Sequence, residues 1–234
     1  MERIGVIIVA GGCGRRCGGS IPKQFALLGG VPVLARTIGS FAKALPGAPI
    51  AVVLPAAHID FWHNLCARFD VAPHAVAAGG AERFDSVRSG LAALPDDLDF
   101  IAVHDGVRPL ATPKLIRRAA AEAAEFGSAV PVIEAVDSYR EAEGDRSHAL
   151  DRRRLRIVQT PQIFRADLLR DAYRGDCGPE CTDDATVVER AGHAVHLCEG
   201  ERSNLKITAP DDFAVAEALL AAREENAYEQ LPLE

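Results

Sequence analysis

Glycine and arginine crowd the end of the first apolar run of the chain, in Gly11-Gly12-Cys13-Gly14-Arg15-Arg16-Cys17-Gly18-Gly19, with Pro22-Lys23-Gln24 close behind. Glycines let backbone N–H groups approach phosphate oxygens, so this is a candidate phosphate loop. A Walker loop needs Gly-Lys-Ser/Thr entering a helix, and a dinucleotide fingerprint needs its third glycine one position before Gly18. Neither fits. The run Ile50 to Leu54 ends in Pro55-Ala56-Ala57, where a dinucleotide enzyme would usually carry an acid for the ribose. Arg15, Arg16 and Lys23 would bring several cations to one strand end, which suits a polyphosphate whose charge grows on its leaving group. That favours nucleotidyl transfer over simple binding. A surface turn with incidental arginines is the competing reading.

In-line displacement at an α-phosphate also calls for a metal across phosphate oxygens. Asp105, closing the β-like run Phe100 to His104, is the carboxylate best placed for Mg²⁺, another divalent cation being possible. Mg²⁺ commonly takes one or two protein carboxylates and completes its shell with phosphate and water, so an acidic cluster is not required. A helix-capping role is the alternative for Asp105. Lysine is confined to Lys23, Lys43, Lys114 and Lys206, and Lys206 lies in an apolar, strand-like run where an ammonium needs a partner.

These residues need a scaffold that brings strand ends together. Ile4 to Ala10 is a nearly continuous apolar run, as expected of a buried parallel strand feeding the loop. Further β-like runs fall at Ile50 to Leu54, His74 to Ala78, Phe100 to His104, Ala129 to Ile133, Leu155 to Gln159 and His193 to Leu197. Helical stretches fall near Val33 to Ala42, Ile59 to Phe69, Glu82 to Ala93, Pro113 to Phe126 and Asp211 to Arg223. This alternation predicts an α/β fold, a single doubly wound, mostly parallel sheet in one domain, with ligands bound beyond the carboxyl ends of the strands. Asp137 to Arg156 breaks the pattern, being charged, turning at Glu143-Gly144-Asp145 and lacking a helical stripe; it reads as a protruding β-arm, or else as solvated charge.

Of the 234 residues, 48% are apolar and 25% charged, enough to bury a substantial core. The net charge of -7 offers no general attraction to nucleic acid or anionic membrane, so a phosphate partner must be met by local basic groups. The apolar run after Met1-Glu2-Arg3 is too short for a signal core or a membrane span, which makes the cytoplasm the expected setting. The six cysteines, with C-x3-C spacings at Cys13/Cys17 and Cys177/Cys181, lack a zinc pattern and are expected to be reduced thiols.

The run Ala10-Gly11-Gly12-x-Gly14-x-Arg16 followed by Pro22-Lys23-Gln24-Phe25 resembles the signature of the 2-C-methyl-D-erythritol 4-phosphate cytidylyltransferases, nucleotidyltransferases with a Rossmann-like fold in the non-mevalonate route to isoprenoids. The resemblance extends over nearly the whole chain, through Gly79-Gly80-Ala81-Glu82-Arg83 with Ser86-Val87, Val103-His104-Asp105-Gly106-Val107-Arg108-Pro109, Gln159-Thr160-Pro161-Gln162, Thr182-Asp183-Asp184-Ala185, and Glu199-Gly200 with Asn204-Leu205-Lys206-Ile207-Thr208. It implies transfer of CMP from CTP to a small polyol phosphate, with release of pyrophosphate. By the same resemblance Arg16 and Lys23 act on the triphosphate, and Ala10, Gly11, Gly12, Gly14, Gly80 and Ser86 hold the nucleotide together with Asp105. Arg108, Thr182 and Lys206 would meet the acceptor, joined by Ser138 and Arg152 from the arm of a partner in a homodimer, and Thr160 would lie beside the substrate. Arg83 would order the Gly80 segment, or is a helix-surface charge.

Three positions depart from the family pattern: Ser138 stands where threonine is common, Asp183-Asp184 where Asp-Glu is common, and Ser203 where some members have aspartate. A ribitol 5-phosphate cytidylyltransferase shares much of the same wording, although Leu150-Asp151-Arg152 leans toward the methylerythritol enzyme. A noncatalytic nucleotide-binding domain on the same fold is a further alternative, against which Arg16, Lys23 and Asp105 argue together.

Overall fold

The computed structural model describes residues 2–11, 21–178 and 180–229, with side chains as far as Arg223 in the last helix. The order is β1 (Ile4–Val9), a small hairpin of β2 (Leu27–Leu28) and β3 (Val31–Pro32), α1 (Val33–Ala44), β4 (Ile50–Leu54), α2 (Ile59–Cys66), β5 (Ala75–Ala78), α3 (Arg83–Ala93), β6 (Phe100–Asp105), α4 (Pro113–Phe126) and β7 (Ser128–Glu134). A second hairpin of β8 (Tyr139–Glu143) and β9 (Arg146–Leu150) is followed by β10 (Arg156–Val158), β11 (Gln162–Arg165), α5 (Ala166–Ala172), α6 (Asp184–Arg190), β12 (Leu197–Glu199) and α7 (Asp211–Glu229).

Strands β5, β4, β1 and β6 lie side by side and parallel. Their near-continuous apolar sequences follow from burial on both faces. In β1, Val6 and Ile8 enter the core shared with α1 and α4, while Ile7 enters the opposite core with Val87 and Leu91 of α3. Gly90 permits that close approach, since a Cβ there would stand 2.5 Å from an Ile7 methyl. A third cluster joins Leu28, Val33, Val107, Leu110 and Ile207 to Ala216 of α7.

Beyond β6 the sheet becomes mixed. β11 runs antiparallel to both β6 and β7, β10 is antiparallel to β7, and β12 is parallel to β7. The registers Val158↔Val132 and Ile163↔Ala129 place β10 and β11 along the same neighbour, separated by a break at 159–161 that contains the cis Thr160–Pro161 bond. The α/β class and mostly parallel sheet agree with the sequence expectation, with three corrections. The run at 193–197 is a strand only from Leu197 onward, although His196 already bonds β7 at its edge, its carbonyl accepting from Val130 N–H and its N–H donating to the Ser128 hydroxyl. The run around Lys206 is loop rather than strand. Cys177 and Cys181, expected as thiols, form a disulfide across a turn that brings their Cα atoms to 6.0 Å, whereas Cys66 and Cys198 are free.

The charged stretch 137–156 contains the β8–β9 hairpin, turning at Gly144 with φ 56° and exposed along nearly its whole length. A two-stranded hairpin without a buried face is marginal in isolation. Among the described residues no helix is long and apolar enough to cross a membrane.

Candidate active site

The carboxyl ends of β1 and β6 meet in register, Val9 opposite Asp105, and both chains leave the sheet there. Gly106 donates its N–H to Val9 O at 2.8 Å; a Cβ on Gly106 would stand 2.8 Å from that of Ala10, so the two loops can be this close only with glycine in place. Above them opens a cleft of about 480 Å³, walled by Ala10 and Gly11 after β1, Lys23, the Gly80–Ser86 segment running from the loop after β5 into α3, Asp105, and Lys206. That size suits a small ligand.

Asp105 is nearly buried, and its Oδ2 meets Arg108 Nε at 3.0 Å and Lys206 Nζ at 3.1 Å. Burial works against its ionisation, but the Lys206 and Arg108 cations prevail with help from Arg83, and the carboxyl sits well below the usual range. Arg108 is held from behind by the carbonyl of Asn204 at 2.9 Å. Lys206 stands between two anchored neighbours: Asn204 is fully buried, and Ile207 packs in the third core cluster and donates its N–H to Val107 O. The side chain between them is thereby turned out toward Asp105.

A hydrogen-bonded chain fixes Asp105 from below. Its N–H donates to Thr160 Oγ1 at 3.1 Å, Thr160 Oγ1 lies 3.0 Å from His104 Nδ1, and His104 Nε2 lies 3.3 Å from the carbonyl of Arg108. A carbonyl only accepts, so Nε2 carries the proton and Nδ1 accepts from the threonine hydroxyl. Burial lowers the His104 pKa to about 4, which keeps this ring neutral near pH 7.

Lys23 opens a three-residue 3-10 turn, Lys23–Phe25, and its Nζ donates to Ile207 O at 2.9 Å. The next residue, Gln24, is buried and donates to Ala10 O at 3.1 Å, tying this turn to the end of β1. On the opposite wall Arg83 grips Asp184 through both terminal nitrogens, at 3.0 and 2.6 Å, and Tyr173 donates to the same carboxylate at 2.6 Å. With Asp184 fully enclosed and Arg83 part-buried, the pair ties the start of α3 to α6, so Arg83 is not a free helix-surface charge. Ser86 donates to Glu82 O, and Glu82 and Asp85 form a capping box at the start of α3. Gly79 and Gly11 pass close to the Ser86 hydroxyl, where added Cβ atoms would lie 2.9 and 3.4 Å away.

The fold thus gathers Ala10, Gly11, Lys23, Gly80, Ser86, Asp105 and Lys206 around one cleft, with Arg108 adjoining through Asp105. Gly12, Gly14 and Arg16 lie outside the described residues. Thr160 is buried, its hydroxyl directly beneath the N–H of Asp105. Thr182 is exposed just ahead of α6, and Ser138 and Arg152 lie on exposed chain at the foot of the hairpin, where Arg152 donates to Val136 O. Sequence reasoning passed over three amides that hold the cleft's supports. Asn204 Nδ2 donates to Thr160 O at 2.8 Å, Gln159 exchanges hydrogen bonds with the backbone of Glu201, and Gln162 bridges Asp183 and the N–H of Ala185.

The sequence profile of the 2-C-methyl-D-erythritol 4-phosphate cytidylyltransferase family matches residues 4–222. A protein of that name from Bacteroides fragilis is 45% identical over 216 residues, covering 92% of this chain and 98% of its own. Among solved structures, the 2-C-methyl-D-erythritol 4-phosphate cytidylyltransferase of Thermus thermophilus is 33% identical with a TM-score of 0.74, over 93% of this chain and 98% of its own. The 4-diphosphocytidyl-2C-methyl-D-erythritol synthase of Anaerococcus prevotii reaches a TM-score of 0.80 at 25% identity, over 94% and 99%.

Proposed function

The chain belongs to the 2-C-methyl-D-erythritol 4-phosphate cytidylyltransferase family, and from that premise we propose that it transfers CMP from CTP to 2-C-methyl-D-erythritol 4-phosphate, giving 4-diphosphocytidyl-2-C-methyl-D-erythritol and pyrophosphate. The observation that carries this reading is the Asp105–Arg108–Lys206 cluster, whose Asp105 and Lys206 line the same cleft as Ala10, Gly11 and Lys23. A phosphate oxygen of the acceptor attacks the α-phosphorus of CTP, the bond to the oxygen bridging to the β-phosphorus breaks, and pyrophosphate leaves with the electron pair. The attacking monoester has its second pKa at about 6, so at neutral pH it is already an anion and needs no general base. The buried neutral His104 is accordingly a support.

The roles follow from placement. Ala10, Gly11, Gly80 and Ser86 hold the nucleotide, Lys23 meets the charge gathering on pyrophosphate, and Arg108 and Lys206 receive the acceptor phosphate. Arg16 and Thr182 join these sets by resemblance, Arg16 at the triphosphate and Thr182 at the acceptor. Mg²⁺ or another divalent cation fits Asp105, whose Oδ2 takes both cations while Oδ1 has no hydrogen-bond partner among the described residues. When bound there, the ion would neutralise charge on the phosphate oxygens.

The proposal includes a homodimer in which Ser138 and Arg152 of one protomer complete the acceptor site of its partner. Supporting it are the isolated hairpin and the apolar side chains at its base, Val136, Ile157 and Val158, exposed at 49%, 40% and 40%. A cytoplasmic enzyme would meet CTP directly, and that setting is part of the reading.

The test is pyrophosphate release with CTP, Mg²⁺ and either 2-C-methyl-D-erythritol 4-phosphate or ribitol 5-phosphate. Turnover is expected with the first and at most weakly with the second. Stronger turnover with ribitol phosphate would move the acceptor, and no release with either would leave a nucleotide-binding domain.

A further inference from the structure

We propose that Phe25, Trp62 and His74 are positioning residues that hold the Lys23 turn against the cleft, so that the ammonium is in place when pyrophosphate departs. The inference rests on the proposed role of Lys23.

A lysine side chain has several rotatable bonds, and its reach is only as well defined as the backbone that launches it. Here the launch is a single 3-10 turn, closed by Phe25 N to Pro22 O at 2.9 Å and Ala26 N to Lys23 O at 3.3 Å, with no side-chain cap. Short 3-10 pieces have poor hydrogen-bond geometry and hold a fixed orientation only when something else pins them. Gln24 ties the turn to β1, and Ala26 O accepts from Val33 N at 3.0 Å. Phe25 adds an anchor whose geometry depends on ring orientation.

Its ring is 3% exposed and enters a pocket of aromatic residues from the segment that follows β4. It stacks on Trp62 at 5.9 Å between centroids, leans on Phe61 at 5.2 Å, and meets the edge of His58 at 5.7 Å. Such offset and edge contacts are orientation-dependent, so they set the angle of the ring and with it the direction of the turn. Trp62, fully buried in α2, is itself fixed: its indole N–H donates to His74 Nε2 at 2.9 Å. His74 Nδ1 lies 2.8 Å from the carbonyl of Ala72. An indole only donates and a carbonyl only accepts, so His74 carries its proton on Nδ1 and presents Nε2 as acceptor. A relay thus runs from the segment entering β5, through His74, Trp62 and Phe25, to Lys23. None of these three side chains lines the cleft, so an effect on the chemistry must pass through the turn.

The test uses two substitutions. Phe25→Leu keeps an apolar side chain but removes the oriented ring contacts, and Trp62→Phe keeps a ring but deletes the N–H that His74 accepts. Because misplacement by 1 Å can cost on the order of a hundredfold, a loosened turn should lower the single-turnover rate at saturating CTP and acceptor about tenfold, with the dissociation constant of CTP changed by less than about threefold. Combining either change with Lys23→Ala should give a protein no slower than Lys23→Ala alone, since the losses share one route. Losses that multiply, or CTP binding weakened as much as the rate, would overturn the proposal. If Phe25→Leu does not fold, Trp62→Phe carries the same comparison. A slow Lys23→Ala beside unaffected Phe25→Leu and Trp62→Phe would sink the positioning role alone, whereas an unaffected Lys23→Ala would remove the catalytic reading of Lys23 beneath it.

Discussion

Lys206 shows how a side chain acquires a role from its neighbours. Asn204 and Ile207 are fully buried on either side of it, so the backbone there is anchored and launches the half-exposed side chain toward Asp105. Lys206→Ala should weaken acceptor binding by about 1.5–3 kcal/mol, the usual range for a hydrogen bond to a charged group, and leave CTP affinity unchanged. Calorimetric titration of each ligand decides it, and loss of CTP affinity with the acceptor unaffected would reassign the residue. That Lys206 required a partner was legible, since an ammonium in an apolar run must be met by something. Which partner was not, because Asp105 lies about a hundred positions away and only the closure of the third core cluster brings them together. The supporting amides were harder still. Asn204, Gln159 and Gln162 carry no charge and no periodicity, and their importance lies wholly in the orientation of donors and acceptors.

Among the elements, those buried on both faces were the most legible, and at the mixed end β7 and β10 lie where β-like runs were expected while β11 does not. β1, β4 and β6 announce themselves as unbroken apolar runs. β11 hides because its buried Gln162 is polar and its end residue Arg165 is exposed, although both β6 and β7 pair with it. The break between β10 and β11 delivers the Thr160 hydroxyl to the end of β6. Thr160→Val keeps the shape but leaves the Asp105 N–H and His104 Nδ1 without that partner, and should cost about 1–3 kcal/mol of stability by urea denaturation. An unchanged midpoint would mean that this junction is held by packing alone. The β8–β9 hairpin belongs to a different kind of element, one with almost nothing buried. Deleting Tyr139–Leu150 should lower both association in sedimentation and apparent affinity for the acceptor, while CTP binding persists; a truncated protein that is still dimeric and fully active would refute the arm's proposed role.

At the scale of the molecule, His104 ties stability to pH. Its pKa is about 4 in the fold against 6.5 for an ordinary histidine, so between those values the unfolded chain binds the extra proton. Stability therefore rises with pH through this window, is fully present above about 6.5, and is lost as acidity increases toward 4; the contribution is on the order of 3 kcal/mol. Denaturation in urea at pH 7 and pH 5 should show the loss, and equal stability at both would mean the ring titrates in the fold as it does in the unfolded chain. Asp105 adds a further loss in stronger acid, since its depressed pKa favours the folded state above the ordinary carboxylate range and that advantage goes as the group protonates. The same whole-chain view gives Trp62 a second significance, because it is the only tryptophan among 234 residues. With excitation chosen to pass over tyrosine, all of the protein's fluorescence arises from one indole stacked on the ring that follows Lys23 and Gln24. The emission colour and lifetime are thus a built-in gauge of that single wall of the cleft, and any movement of the wall when nucleotide arrives would be read by stopped flow on the unlabelled native chain.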